Sequence, residues 1–328
     1  MSKLKIVSLV LCWVGMWPFA SCAVDAAWHR GDEAIMGTAV SVELWHDDAV
    51  AAQRLIEQVM AEMRRIDQTY SPYIESSQLS VLNQSAASSP VQVTAEMWHL
   101  LRAGQKMSEL SDGAFDLTYA SVGRYYDYRE KHKPSAQTIA EQLPAISYRH
   151  LSLEGERYVR YLHPAVYVDL GGIAKGYAVD RGIVLLASAG VEQAIVSAGG
   201  DSRIVGDRLG KPWSVGVQHP RDASKMIAVL PLVDTAVSTS GDYERFFEEG
   251  GVRYHHILDP SSGDSARELR SVTILGPQGT FTDALSTAVF VLGIDAGLAL
   301  VDRLPGIDAV LVDAKGRLLY SEDIAPLD

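Results

Sequence analysis

VYVDLGGIAKGYAVDR, residues Val166 to Arg181, takes the chain from a β-branched, strand-like run through a paired-glycine turn directly into a helical pattern. Glycine admits backbone conformations and close approaches that a side chain forbids. The first turn of a helix leaves N–H groups unpaired, and the dipole there favours an anion. Asp169, Gly171, Gly172 and Lys175 are therefore candidate ligand contacts. Spacing excludes two familiar phosphate motifs, since Gly171, Gly172 and Gly176 match neither the G-x-G-x-x-G dinucleotide fingerprint nor G-x-x-x-x-G-K followed by Ser or Thr. Taken alone, the stretch leaves two readings open: a grip on phosphate, or a tight turn whose glycines serve packing.

The surrounding chain narrows the setting. Its 328 residues are 47% hydrophobic and 21% charged, an ordinary globular composition. A net charge of −12 and the lack of any basic run exclude a nucleic-acid footprint. At the N-terminus, Lys3 and Lys5 precede an apolar stretch from Ile6 to Phe19 that is broken by Gly15 and Pro18, which reads as a secretory signal and not a spanning helix. Phe19-Ala20-Ser21-Cys22 resembles the bacterial lipobox, in which the cysteine becomes the lipidated first residue; an ordinary cleavage near Ala23 or Ala27 is the alternative. Ala23 and Val24 follow the cysteine, so the aspartate that signals inner-membrane retention is not there. Cys12 and Cys22 are the only cysteines, so a mature chain beginning at Cys22 holds no disulfide, thiolate metal site or cysteine nucleophile. The expected organisation is a signal over 1–21, a tether over 22–30 and one domain over 31–328.

Along the domain, Ile35–Trp45 alternates as a strand, and Leu55, Ile56, Val59, Met60, Met63 and Ile66 form one helical stripe. The Ser-, Asn- and Pro-rich stretch from Ser71 to Pro90 reads as loop. A second helix runs from a Thr94 cap to Asp112-Gly113. Tyr148–Leu153 and Val166–Leu170 read as strands, and a helix from Ile173 stops at Gly190. Further strands are expected at Ala194–Ala198, Trp213–Val217, Met226–Val233, Ser271–Leu275 and Ala309–Val312, with helices at Thr282–Leu292 and Asp295–Leu304. Strands and helices alternate without a strict βαβ beat, which points to an α+β fold with antiparallel sheet.

Three further segments carry chemistry. Asp283 and Thr287 stand four apart on one helical face and both offer hard oxygen; with a main-chain carbonyl from the Gly171-Gly172 turn they suit Mg2+. The other reading is a first-turn aspartate offsetting the helix dipole. His255 and His256 precede an Asp-Pro turn; as strand neighbours they face opposite ways, so one is a candidate general base while the other faces out. Ser238-Thr239-Ser240-Gly241 forms a polar turn, and no G-x-S-x-G elbow supports a serine hydrolase.

In order, the chain carries IMGTAVSV (Ile35–Val42), GAFDLT (Gly113–Thr118), DLGGIAKGYAVD (Asp169–Asp180), SAGGDSRIVG (Ser197–Gly206), STSGDYERFF (Ser238–Phe247), HHILDPSSG (His255–Gly263) and TDALSTAVFVLG (Thr282–Gly293). These ordered motifs resemble the ApbE family, the FAD:protein FMN transferases, over essentially everything after the leader. The resemblance implies a T-fold-related α+β domain. It implies a periplasmic, lipid-anchored enzyme that binds FAD, uses Mg2+, and transfers FMN to a Thr or Ser of a partner flavoprotein, releasing AMP; the partner is typically a subunit of a membrane redox complex. Flavin contacts carry over to Met36, Tyr70, Ala114, Phe115, Asp116, Asp169, Lys175, His256, Ile257 and Leu258. Metal ligands carry over to the Gly172 carbonyl, Asp283 and Thr287, and His256 takes the role of base. Family members with other residues at the positions of Gly172 and Lys175 imply a main-chain ligand at 172 and a lysine role that is not universal. Water in place of the acceptor would make an FAD pyrophosphatase, and loss of chemistry would leave a flavin-binding lipoprotein.

Overall fold

Met36 and Gly37 sit at positive φ, 56° and 70°, the geometry of a two-residue turn whose twist matches the strands it joins. In the computed structural model, which describes residues 26–324, they connect β1 (Ala27–Ile35) to β2 (Thr38–His46), paired from Ala27 opposite His46 to Ile35 opposite Thr38. Residues 27–30, expected as tether, therefore belong to the sheet, their backbone paired along β2. Cys12, Cys22 and the signal segment lie outside the described residues.

Asp48 caps α1 (Ala49–Tyr70) by accepting the N–H groups of Val50 and Ala51. The helix buries the expected stripe of Ile56, Val59, Met60, Met63 and Ile66. The stretch read as loop contains α2 (Gln78–Ser85), capped by the Ser77 hydroxyl, which accepts from Ser80 N at 3.0 Å. Its polar composition concealed only two fully buried anchors, Leu79 and Leu82. A short β3 (Val91–Gln92) leads to α3 (Ala95–Leu110), capped by Thr94 as expected. The small helices α4 (Ala120–Gly123) and α5 (Ala136–Gln142) precede the hairpin of β4 (Leu151–Glu154) and β5 (Tyr158–Tyr161), which joins β3 in a three-stranded sheet. Tyr148–His150 is a 3-10 turn, so the expected strand starts at Leu151.

Val166–Leu170 is extended but, among the described residues, pairs with no strand. The Asn83 side chain takes the neighbouring strand's place: its Oδ1 accepts from Val168 N and its Nδ2 donates to Val168 O, both at 2.8 Å. Tyr167 N donates to Ser121 Oγ and Asp169 N to Leu117 O, both at 3.0 Å. The run was misread because its β-branched pattern reports a buried extended backbone, not who pairs with it.

After α6 (Ala174–Ser188) come β6 (Ala194–Ala198), β7 (Asp201–Val205), the hairpin of β8 (Trp213–Gln218) and β9 (Met226–Leu232), then β10 (Ala236–Gly241). A second hairpin, β11 (Phe246–Glu249) and β12 (Val252–His255), precedes β13 (Leu269–Gly276), α7 (Gly279–Val301), β14 (Asp308–Asp313) and β15 (Leu318–Tyr320). The main sheet is antiparallel throughout, in the order β1-β2-β6-β7-β10-β13-β14-β15. Helices α1, α6 and α7 pack against it. α7 is apolar and long enough to cross a membrane, yet it is a core helix, packed against β10, β13 and α6. It bends at Gly293, whose φ of 80° and ψ of −167° are not helical, so the two helices read from the sequence are its two halves.

Candidate active site

The site forms where α6 and α7 begin. Gly176 brings them together: a Cβ there would overlap the Gly279 carbonyl. Asp180 accepts from Gly279 N (2.7 Å), Thr280 N (2.8 Å) and Thr280 Oγ1 (2.7 Å), closing the first turn of α7. Asp283 reaches back, and its Oδ2 accepts from Gly176 N at 2.9 Å.

At this junction the glycine turn meets the expected metal ligands. A Cβ on Gly172 would stand 3.4 Å from Thr287 Oγ1 and 3.1 Å from Phe115, so the main chain at 172 and that hydroxyl are neighbours. Thr287 Oγ1 also lies 3.2 Å from Ser240 Oγ, which bonds Ser286 Oγ at 2.8 Å. The polar turn at 238–241 is thus the end of β10, supporting the α7 face. Asp283 is buried, and burial together with the Asp201 carboxylate raises its pKa above the usual range; the Lys175 ammonium opposes the rise.

Lys175 Nζ lies 2.8 Å from Asp201 Oδ2, 3.5 Å from Asp283 Oδ1 and 3.5 Å from the Gly171 carbonyl. Burial works against its charge, but the two carboxylates outweigh it and raise its pKa. The lysine is therefore held by protein oxygens and does not reach freely for phosphate. Asp201 is 1% exposed, and its partner is the Lys175 ammonium, which meets its Oδ2. Asp201 stands within SAGGDSRIVG, but its lysine partner lies on another element, so no spacing within that motif reports its role.

Asp169 folds its Oδ1 onto Gly171 N. Burial raises its pKa, opposed by the Gly171 N–H, Arg245, Tyr119 and Lys175. The two histidines separate by role. His255 is core: it packs edge-on against Phe290 at 5.5 Å, and its Nε2 meets the Ala266 carbonyl at 2.6 Å. It does not face outward as the strand alternation implied, because the chain turns inward after β12. Burial, then the charges of Arg245, His255 and Lys175, pull the His256 pKa down to about 3, and among the described residues its Nδ1 has no hydrogen-bond partner. It is a neutral imidazole at pH 7.

The remaining expected contacts divide. Met36 stands at the β1–β2 turn, where Gly37 approaches the Arg245 guanidinium. Ala114 precedes Phe115, whose ring backs the Gly172 turn. Asp116 spends both carboxylate oxygens within the fold, accepting from Thr118 N, Thr118 Oγ1 and Tyr148 N at 2.6–2.8 Å. Ile257 and Leu258 have buried side chains, and Leu258 packs with Val122 and Tyr126. Tyr70 faces another neighbourhood: its ring meets Tyr177 at 6.5 Å, and the Tyr177 hydroxyl donates to Glu96. In the same TYSPY stretch it is Tyr73, 81% exposed, whose phenol lies near enough to Tyr119, Tyr128 and Tyr167 to act on their ionisation. Two tyrosines three apart were the available signal for that choice.

Among the described residues no group of three or more His, Cys, Asp and Glu side chains is placed to hold a metal. A cation here would rest on one carboxylate, one hydroxyl and main-chain oxygen. The family profile of the ApbE family matches residues 36–311. The chain belongs to the ApbE family. It is 30% identical to the FAD:protein FMN transferase of Treponema pallidum, covering 98% of this chain and 94% of that protein. The ApbE protein of Thermotoga maritima superposes with a TM-score of 0.83 at 36% identity, over 90% of this chain and 97% of its own. The apo flavinyl transferase ApbE of Pseudomonas stutzeri does so at 0.80 and 32% identity, over 90% and 95%. The α+β architecture is thus the ApbE fold.

Proposed function

We propose that this chain transfers FMN from FAD to a threonine or serine hydroxyl of a partner flavoprotein, with Mg2+ as its metal, forming a phosphoester and releasing AMP. FAD:protein FMN transfer is the activity carried in the names of its relatives. The observation that carries the finer reading is the meeting of the Gly172 turn, Asp283 and Thr287 within the same site as the neutral, unpartnered imidazole of His256.

The donors suit magnesium. All are hard oxygens, they are few, and such an ion commonly completes its shell with water and substrate phosphate. The oxygens of Asp201, Asp283 and Gly171 already gather around one cation, the Lys175 ammonium. The Gly172 carbonyl, Asp283 and Thr287 would hold Mg2+, which supplies neutralisation of the charge developing on the diphosphate.

The protein's own groups perform the rest. His256 accepts the proton of the acceptor hydroxyl as that oxygen bonds to the FMN phosphorus. The bond from this phosphorus to the bridging oxygen breaks, and the bridging oxygen leaves with the electron pair as part of AMP. The start of α6 favours the phosphate through the helix dipole, while the N–H groups of Ile173, Ala174, Gly176 and Tyr177 are already taken within the fold. The lipobox-like Cys22 supports a periplasmic enzyme anchored by lipid, with an acceptor in a membrane redox complex.

Asp283→Ala tests the metal assignment. The Mg2+ concentration giving half-maximal transfer should rise at least about tenfold, as expected when a ligand is lost; an unchanged titration removes Asp283 from the metal site. AMP formed without acceptor at the full rate would identify a pyrophosphatase instead.

A further inference from the structure

Arg245 is the cation near the site that the fold itself does not use. It lies exposed between β10 and β11, and among the described residues its guanidinium has neither an ion-pair partner nor a side-chain hydrogen bond. Its neighbours differ: Arg221 is bound by Asp242, Arg253 by Asp242 and Glu248, and Arg267 by Asp264. Lys175, the other cation at the site, is bound by Asp201 and Asp283.

The position of Arg245 is fixed at both ends. Its carbonyl accepts the His256 N–H at 3.1 Å, tying its backbone to that of the proposed base. Its Nη2 lies 3.4 Å from where a Cβ of Gly37 would stand, so the side chain extends to the Met36–Gly37 turn. The charge is felt by the groups between, favouring ionised Asp169 and disfavouring protonated His256. A protein of net charge −12 repels an anionic substrate at long range, so a local cation must reverse the field.

We propose that Arg245 is a substrate-binding residue whose guanidinium grips the diphosphate of FAD, from the β1–β2 turn side of the site. This rests on the reading of the chain as an FAD-dependent transferase. A planar fork of N–H donors suits phosphate oxygens, and each such bond is strengthened by both charges. The substrate then supplies the counter-charge that Arg245 does not find among the described residues.

The test is FAD binding, followed by flavin fluorescence at low and high salt, for the intact protein and for Arg245→Gln and Arg245→Lys. Arg245→Gln should weaken FAD binding by roughly ten- to a hundredfold at low salt, the range of a lost charge-assisted bond. The deficit should shrink at high salt, where the interaction is screened, and Arg245→Lys should fall between. Equal affinities for the three proteins overturn the proposal, and so does a deficit that salt leaves unchanged, which would mark a packing role. An unmodified chain that fails to bind FAD overturns the transferase reading itself, a result separable from the first two.

Discussion

His256 shows how one residue acquires its chemistry from its surroundings. Burial and the positive charges of Arg245 and Lys175 hold it neutral, with a folded pKa near 3 against 6.5 unfolded. Its contribution to stability is therefore full above about pH 6.5 and is lost as pH falls from there toward 3, because the unfolded chain binds the proton first. His256→Asn should flatten the pH dependence of stability across that window, read by denaturant unfolding. The same variant should retain FAD binding and lose transfer by on the order of 10² to 10⁴, the range for a missing general base. Asp201 predicts differently. In Asp201→Asn, Lys175 loses its closest counter-charge and Asp283 loses a like-charged neighbour, so the proposed Mg2+ requirement and the KM for FAD should both change while the protein stays folded. Steady-state titrations of each reveal this; unchanged values for both would make Asp201 a purely structural partner of the lysine.

At the scale of elements, two joints hold the site. One is the crossing of α6 and α7 at Gly176 and Gly279, where backbone meets backbone. Gly176→Ala inserts a methyl group where neither side can retreat, which should cost about 1–3 kcal/mol and displace Asp283 from Gly176 N; thermal unfolding and the Mg2+ titration should move together. The other is Asn83, whose amide stands in for a strand along Val168 and also accepts the Tyr161 hydroxyl at 2.8 Å. Asn83→Ala leaves those groups unpaired, at a cost of about 1–3 kcal/mol, and should loosen Asp169 one residue away. Hydrogen exchange at Val168 N measures that loosening, and exchange as slow as in the unmodified chain would contradict it.

These joints also mark what the sequence could and could not tell. Periodicity reported α1, α3 and both halves of α7, because a buried stripe and a capping Thr94 or a kinking Gly293 are local facts. The pairing of Asp283 with Thr287 on one helical face and the paired-glycine turn are each legible locally, and it is the family resemblance that joins the Gly172 turn to them. Val166–Leu170 was read as a strand because its composition is the same whether a strand or an asparagine pairs with it. α2 was missed because Ser, Asn and Gln covered all but two buried leucines. Asp201 and Arg245 acquire meaning only from partners on other elements, and nothing in one element's spacing reports a partner on another.

For the whole molecule, an eight-stranded antiparallel sheet with α1, α6 and α7 against it places the start of two helices, the end of β10 and the loop after β12 around one site. The ApbE fold and the chemistry of that site meet in a single claim, that an acceptor protein leaves this enzyme carrying FMN. The direct measurement is the intact mass of a candidate acceptor flavoprotein, incubated with this protein, FAD and Mg2+, alongside AMP in the same mixture. The account predicts an acceptor heavier by one phosphoester-linked FMN on a threonine or serine, with one AMP for each acceptor modified. Free FMN and AMP with an acceptor of unchanged mass would contradict it.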